Sequence, residues 1–132
     1  MNNVVITLGT SAPTFAEVIA VARDNAEVVI SQEALDAMAA TRVHVEALAA
    51  SPDPVYGVST GFGALATRHI PADMRTQLQK SLIRSHAAGI GAEVEREVIR
   101  ATMFLRLKTI TSGRTGVRPE VAQTYAAILN AG

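Results

Sequence analysis

From Gln32 to Ala50 the chain runs nineteen residues, "QEALDAMAATRVHVEALAA", without a single glycine or proline. Alanine, the strongest helix former, supplies seven of the nineteen. Leu35, Met38, Val45 and Leu48 fall to one side at helical spacing, and Ser31 stands where an N-cap belongs. "SPDP" follows at once and ends the helix, because proline cannot continue it. A helix this long commits the chain to helix-on-helix packing, and the remaining segments agree with that.

Phe15 to Asn25 carries apolar residues at Phe15, Val18, Ile19 and Ala22, with Thr14 and Glu17 spaced as a capping box. Asp73 to Ala87 reads as a helix with Met74, Leu78, Leu82 and Ser85 on one face and His86 at its edge, stopped by "AAGIG". Glu93 to Thr111 has apolar residues on more than one side (Val94, Val98, Ile99, Met103, Leu105, Leu107), which predicts burial on several sides. Its glutamates gather early and Arg100, Arg106 and Lys108 late, as the helix dipole favours. Pro119 opens a last helix at a position proline tolerates. Val4 to Leu8 and Glu27 to Ile30 are short β-branched runs and read as strands. The fold class is therefore mainly α, with one or two short strands near the N-terminus.

Composition narrows the function classes. Twelve basic residues balance twelve acidic ones, so no basic footprint for nucleic acid exists. There is no cysteine, which excludes disulfides, thiolate metal sites and cysteine nucleophiles and fits a reducing cytoplasm. His44, His69 and His86 have no metal-ligand spacing, so no metal is expected. His44 falls opposite the apolar side of its helix and reads as a solvated surface residue. "MNNVVITLGT" has no Lys or Arg before its apolar run and makes a poor signal peptide. No apolar run approaches the ~20 residues that span a bilayer. At 48% hydrophobic residues and a mean hydropathy of +0.23, some surface is expected to be covered by another segment or subunit.

Ser51 to Pro71 shows no helical period, and so long an irregular stretch tends to be functional. It contains "VYGVSTGFG", Val55 to Gly63. The run lacks the Lys-Ser/Thr of a phosphate-binding loop. Two readings stay open: a surface turn whose glycines merely permit positive φ, or a mobile loop presenting Tyr56 to a site. A tyrosine phenol titrates near ~10 and acts as a general base only where positive charge or donors lower that value. In "SLIRSHAAGIG", His86 is readable either as a hydrogen-bonded structural residue or as a partner for a flat polar ligand. Arg114 and Arg118, flanking "TGV", read as fasteners of a turn to a carboxylate or to carbonyls.

"VYGVSTGFG", "SLIRSHAAGIG" and "SGRTGVRPEV" occur in that order over essentially the whole chain. Together they resemble the N-terminal part of the aromatic amino acid lyase family, and within it the branch that acts on histidine. The resemblance implies the N-terminal part of a helical lyase fold, several hundred residues long when complete, assembled as a cytoplasmic homotetramer. It implies a 4-methylideneimidazol-5-one (MIO) electrophile made from an internal Ala-Ser-Gly, and elimination of ammonia from L-histidine to give trans-urocanate. By motif, Tyr56 corresponds to the base that removes the β-proton and His86 to the contact for the substrate imidazole. Gly57, Gly61 and Gly63 would be hinges of the loop, which is expected to be poorly ordered in this chain. Relatives that use phenylalanine or tyrosine generally differ where this chain has Ser85-His86.

There are two departures. Many members carry Asn where this loop has Ser59, and no Ala-Ser-Gly occurs anywhere in the chain. "TSG" at Thr111 to Gly113 lies in a turn and does not replace it. Residues 1–132 are thus expected to be a single N-terminal segment that ends before its electrophile, inactive alone and prone to self-association. The alternatives are the same chemistry on phenylalanine or tyrosine, an aminomutase, or a helical binding module derived from the lyase.

Overall fold

The computed structural model describes residues 4–132; Met1 to Asn3, part of the segment read as a poor signal peptide, lie outside the described residues. The described chain divides into two compact units. One is built from the chain up to Val43 together with Glu93–Gly132, the other from His44–Ala92.

The first unit begins as a β-α-β element. Strand β1 (Val5–Leu8) leads through helix α1 (Phe15–Arg23) to strand β2 (Glu27–Ile30), and the strands pair in parallel with Ile6 opposite Val28 and Leu8 opposite Ile30. Parallel pairing needs a crossover, and α1 supplies it. Helix α1 starts where the capping box predicts: Thr14 Oγ1 accepts from the Glu17 amide, and the Glu17 carboxylate accepts from the Thr14 amide at 2.6 Å. The Thr14 amide, and after it the Thr14 hydroxyl donating to the same carboxylate at 2.9 Å, hold the Glu17 carboxyl below the ordinary carboxylate range. The box is therefore complete above that ordinary range and opens as pH falls through the lowered value.

Helix α2 (Gln32–Ala50) begins at Ser31, whose hydroxyl accepts from the Ala34 amide, and its residues up to Val43 belong to the first unit. Helices α4 (Arg96–Thr111) and α5 (Pro119–Ala131) complete that unit. Their inner faces, with the strands and α1, close one core of Ile6, Leu8, Val21, Val28, Met38, Phe104, Leu107, Ile110, Ala122 and Leu129. The expected burial of α4 on several sides is not found within this chain. Phe104 and Leu107 are fully buried, while Val98, Ile99 and Leu105 remain about half exposed on the other sides. The helix also begins at Arg96 rather than Glu93, and its N-cap, Glu95, makes no side-chain cap.

Three polar side chains tie the unit together. Asn130 closes the open edge of β2: the Val28 amide donates to its Oδ1 and its Nδ2 donates to the Val28 carbonyl, both at 2.9 Å. Lys108 donates to the carbonyls of Gly9 and Thr10, and burial pulls its ammonium below the ordinary value. Arg100 does more than complement a dipole. It is 4% exposed, and its guanidinium donates to the Val21 carbonyl at 2.9 Å and the Leu129 carbonyl at 2.7 Å. Those carbonyls lie in the last turns of α1 and α5, where the helix leaves them without intrahelical donors. Burial, with Arg96 adding to it, lowers the affinity of Arg100 for its proton. Replacing Arg100 by Met keeps the stem's bulk and removes both donors, so a loss of about 2 kcal/mol is expected in denaturant unfolding. A loss under about 0.5 kcal/mol would show that water satisfies both carbonyls equally well.

The second unit holds the loop after α2, two single 3-10 turns at Gly63–Leu65 and Ala72–Met74, and helix α3 (Arg75–His86). Helix α3 is shorter than the predicted Asp73 to Ala87 because its first residues form the second 3-10 turn. Arg75 anchors its start, donating to the Ala49 and Ile70 carbonyls.

Candidate functional site

The loop expected to be loose is internally tied. The Val58 and Ser59 amides both donate to the Val55 carbonyl, at 3.1 and 2.9 Å, forming a single helical turn around Tyr56. Thr60 then bridges His69 in antiparallel fashion, with the Ile70 amide on the Ser59 carbonyl and the Gly61 amide on the Arg68 carbonyl. Lack of a helical period concealed this, because the bridge bonds join residues seven and eleven positions apart.

Tyr56 stands at the outer side of this turn, 66% exposed, with its ring edge-on to Phe62 at 6.2 Å between centroids. The three glycines serve the loop differently. Gly57 and Gly63 take left-handed φ of 74° and 55°, which only glycine adopts without strain. Gly61 is needed for space: a Cβ there would lie 2.6 Å from Leu65 Cβ and 3.0 Å from its carbonyl oxygen.

His86 is the last residue of α3 and is exposed. Its Nδ1 lies 2.9 Å from both Ser85 Oγ and the Leu82 carbonyl oxygen, which occupies that nitrogen, and no hydrogen bond to Nε2 is found among the described residues. No hydrogen bond or ring contact joins Tyr56 to His86 among the described residues. Within the same unit a cavity of about 610 Å³ is lined by Arg68, His69, Met74, Leu78 and Ser81, among others, but by neither of the two. His44 is exposed, as its place on α2 predicts. Among the described residues no group of His, Asp and Glu is placed to hold a metal ion, and no helix is long and apolar enough to cross a membrane.

Arg114 and Arg118 do not fasten their turn: no hydrogen bond to either guanidinium is found among the described residues. Neighbours do that work. Arg42 donates to the Gly116 carbonyl at 3.3 Å, and the Thr41 hydroxyl donates to the Gly113 carbonyl. Near Tyr56 the sequence marked Ser59 only as a departure from the family pattern and did not single out Thr60, yet the buried hydroxyls of both accept amides of the turn. The available signal was their side-chain chemistry, since Ser and Thr in a turn compete for nearby backbone donors.

The described residues thus place the Tyr56 phenol on a single helical turn and the His86 imidazole at the end of a helix. The aromatic amino acid lyase family model matches residues 14–132. The chain belongs to the aromatic amino acid lyase family. It is 65% identical over 127 residues to the histidine ammonia-lyase of Streptomyces coelicolor, covering 96% of this chain and 25% of that protein. Among solved structures it resembles the histidine ammonia-lyase of Trypanosoma cruzi (TM-score 0.85, 31% identity, 97% of this chain and 24% of that one). It also resembles the tyrosine aminomutase of Streptomyces globisporus (TM-score 0.89, 31% identity, 96% and 24%). The chain spans about a quarter of the length of these relatives.

Family membership implies an MIO group made from Ala-Ser-Gly, and that triplet is not among these 132 residues. The chain therefore does not itself provide the atoms of that group. The phenol of Tyr56 and the imidazole of His86 are both open to solvent.

Proposed function

We propose that this chain supplies the proton-abstracting loop and the imidazole-recognising helix end of a histidine ammonia-lyase, which converts L-histidine to trans-urocanate and ammonia. The observation that carries the reading is the 65% identity to a histidine ammonia-lyase across 96% of the chain, with both Tyr56 and His86 inside the matched family region. Under this reading Tyr56 takes the β-proton of bound histidine through its phenol oxygen. The electrons of that C–H bond form the new double bond, and ammonia departs with the electrons of the C–N bond. A β-proton is weakly acidic, so the reaction needs the amino group made a better leaving group. MIO is the electrophile that supplies this in the family. His86 Nε2 pairs with the substrate imidazole, each neutral ring offering one donor and one acceptor. The turn around Tyr56, hinged at Gly57 and Gly63 with Gly61 packed close, closes over the substrate and excludes water. The complete protein acts as a homotetramer in the cytoplasm, needing neither nucleic acid nor a membrane.

Two measurements test this. The complete protein encoded by the gene is expected to release urocanate from L-histidine, read by its ultraviolet absorbance. The 132 residues alone are expected to release none, since Tyr56 and His86 then face no electrophile. Sustained turnover by the 132 residues, or none by the complete protein, would contradict the assignment. A lyase-derived binding module would give no turnover in either form.

The likeness to a tyrosine aminomutase favours a second reading, chemistry on a phenol or phenyl side chain. His86 separates the two. Changing His86 to Leu in the complete protein is expected to lower kcat/KM for histidine roughly 10²-fold while phenylalanine and tyrosine gain relative to it, because the substrate imidazole is left without a partner. Unchanged preference for histidine would remove His86 from substrate recognition.

A further inference from the structure

The turn that carries Tyr56 is gripped from its own far end. Ser59 and Thr60 are 1% and 2% exposed, and they are the buried hydroxyl residues of this unit. The Val55 amide donates to Ser59 Oγ at 2.9 Å, and the Gly57 amide donates to Thr60 Oγ1 at 3.4 Å. Two adjacent hydroxyls thus take the amides on either side of Tyr56. The Ser59 amide returns a bond to the Val55 carbonyl at 2.9 Å, and the Thr60 hydroxyl spends its own proton on the Gly61 carbonyl at 3.0 Å. The pair is itself anchored, since Ile70 donates to the Ser59 carbonyl and Gly61 to the Arg68 carbonyl. The Tyr56 ring itself meets Phe62 edge-on, and no hydrogen bond to its phenol is found among the described residues.

We propose that Ser59 and Thr60 are positioning residues that fix where the Tyr56 phenol stands, by holding the backbone amides of its two neighbours, Val55 and Gly57. The proposal rests on the reading of Tyr56 as the base. Neither hydroxyl touches substrate; each acts through the backbone of Tyr56. A short side chain suits this, because Ser59 Oγ reaches the amide four residues back without leaving the interior. Misplacing a catalytic group by about an ångström costs up to ~10²-fold in rate, so a hydroxyl that sets the turn bears on kcat rather than on binding.

The test uses the complete protein. Ser59→Ala is expected to lower kcat for histidine about 10-fold and to move KM less than about 2-fold. Thr60→Val is expected to lower kcat less, because its bond is longer, and Thr60→Ser is expected to restore it. Combined with Tyr56→Phe, Ser59→Ala is expected to add nothing, since a positioned group that is absent cannot be displaced. Amide hydrogen exchange gives a readout independent of turnover: exchange at Val55 should rise in Ser59→Ala, and exchange at Gly57 in Thr60→Val. Ser59→Ala with unchanged kcat, or a double variant showing the product of both single losses, overturns the proposal. So does unchanged exchange at Val55. If Tyr56→Phe itself retains turnover, the base reading fails instead, and the exchange data still judge the grip on the turn.

Discussion

Changing Tyr56 to Phe in the complete protein is expected to cut kcat for ammonia release from L-histidine by about 10³-fold, the scale of losing a general base. KM is expected to move little. The substitution removes one phenol oxygen and keeps the ring, so the edge contact with Phe62 survives. Gly57 keeps its left-handed φ, and the Val55–Ser59 bonds do not involve the side chain at 56. Unfolding behaviour is therefore expected to match the parent protein. A variant that folds as well and turns over as fast would show that another group takes the proton.

Changing Phe104 to Ala in the 132-residue chain is expected to lower its stability by about 4 kcal/mol, as for other fully buried aromatic side chains. Phe104 is 0% exposed and sits in the core with Val21, Met38 and Leu129. The adjacent Leu105 is 46% exposed, so Leu105→Ala is expected to cost under about 1 kcal/mol in the same chain. Urea denaturation of the two variants gives both numbers. Equal losses would mean that the outward side of α4 is buried in solution as deeply as the inward one, which self-association of the chain would bring about.

The parts of the fold legible in the sequence are those set by local chemistry. Helix α2 runs from Gln32 to Ala50 as read, because Ser31 caps it and "SPDP" forbids continuation. Both short strands appear within a residue of their predicted limits, and the Thr14–Glu17 box starts α1. Legibility ends where the partner is distant. Nothing near Arg100 shows that its donors meet Val21, 79 residues away, and Leu129 at once. Phe104 was hidden because apolar residues ring α4, so no one stripe marks its inner face. In the candidate site the ordered motifs named Tyr56 and His86, and only the folded turn showed what Ser59 and Thr60 hold. The family resemblance reads Gly61 as a hinge, and the structure shows in addition that its missing side chain leaves room for Leu65.

The bond between Asn130 and Val28 joins residues 102 positions apart. A ribosome adding about 5–20 residues per second needs roughly 5–20 s to make that interval. Through that time β2 has emerged and its outer edge has no amide to meet. An exposed strand edge is a template for other chains. Asn130 thus acts as a late stopper, and the vulnerable moment of this segment falls during synthesis rather than in the finished molecule. Slower elongation between codons 28 and 130 would lengthen the exposure, and a chaperone that shields strand edges would be needed there first.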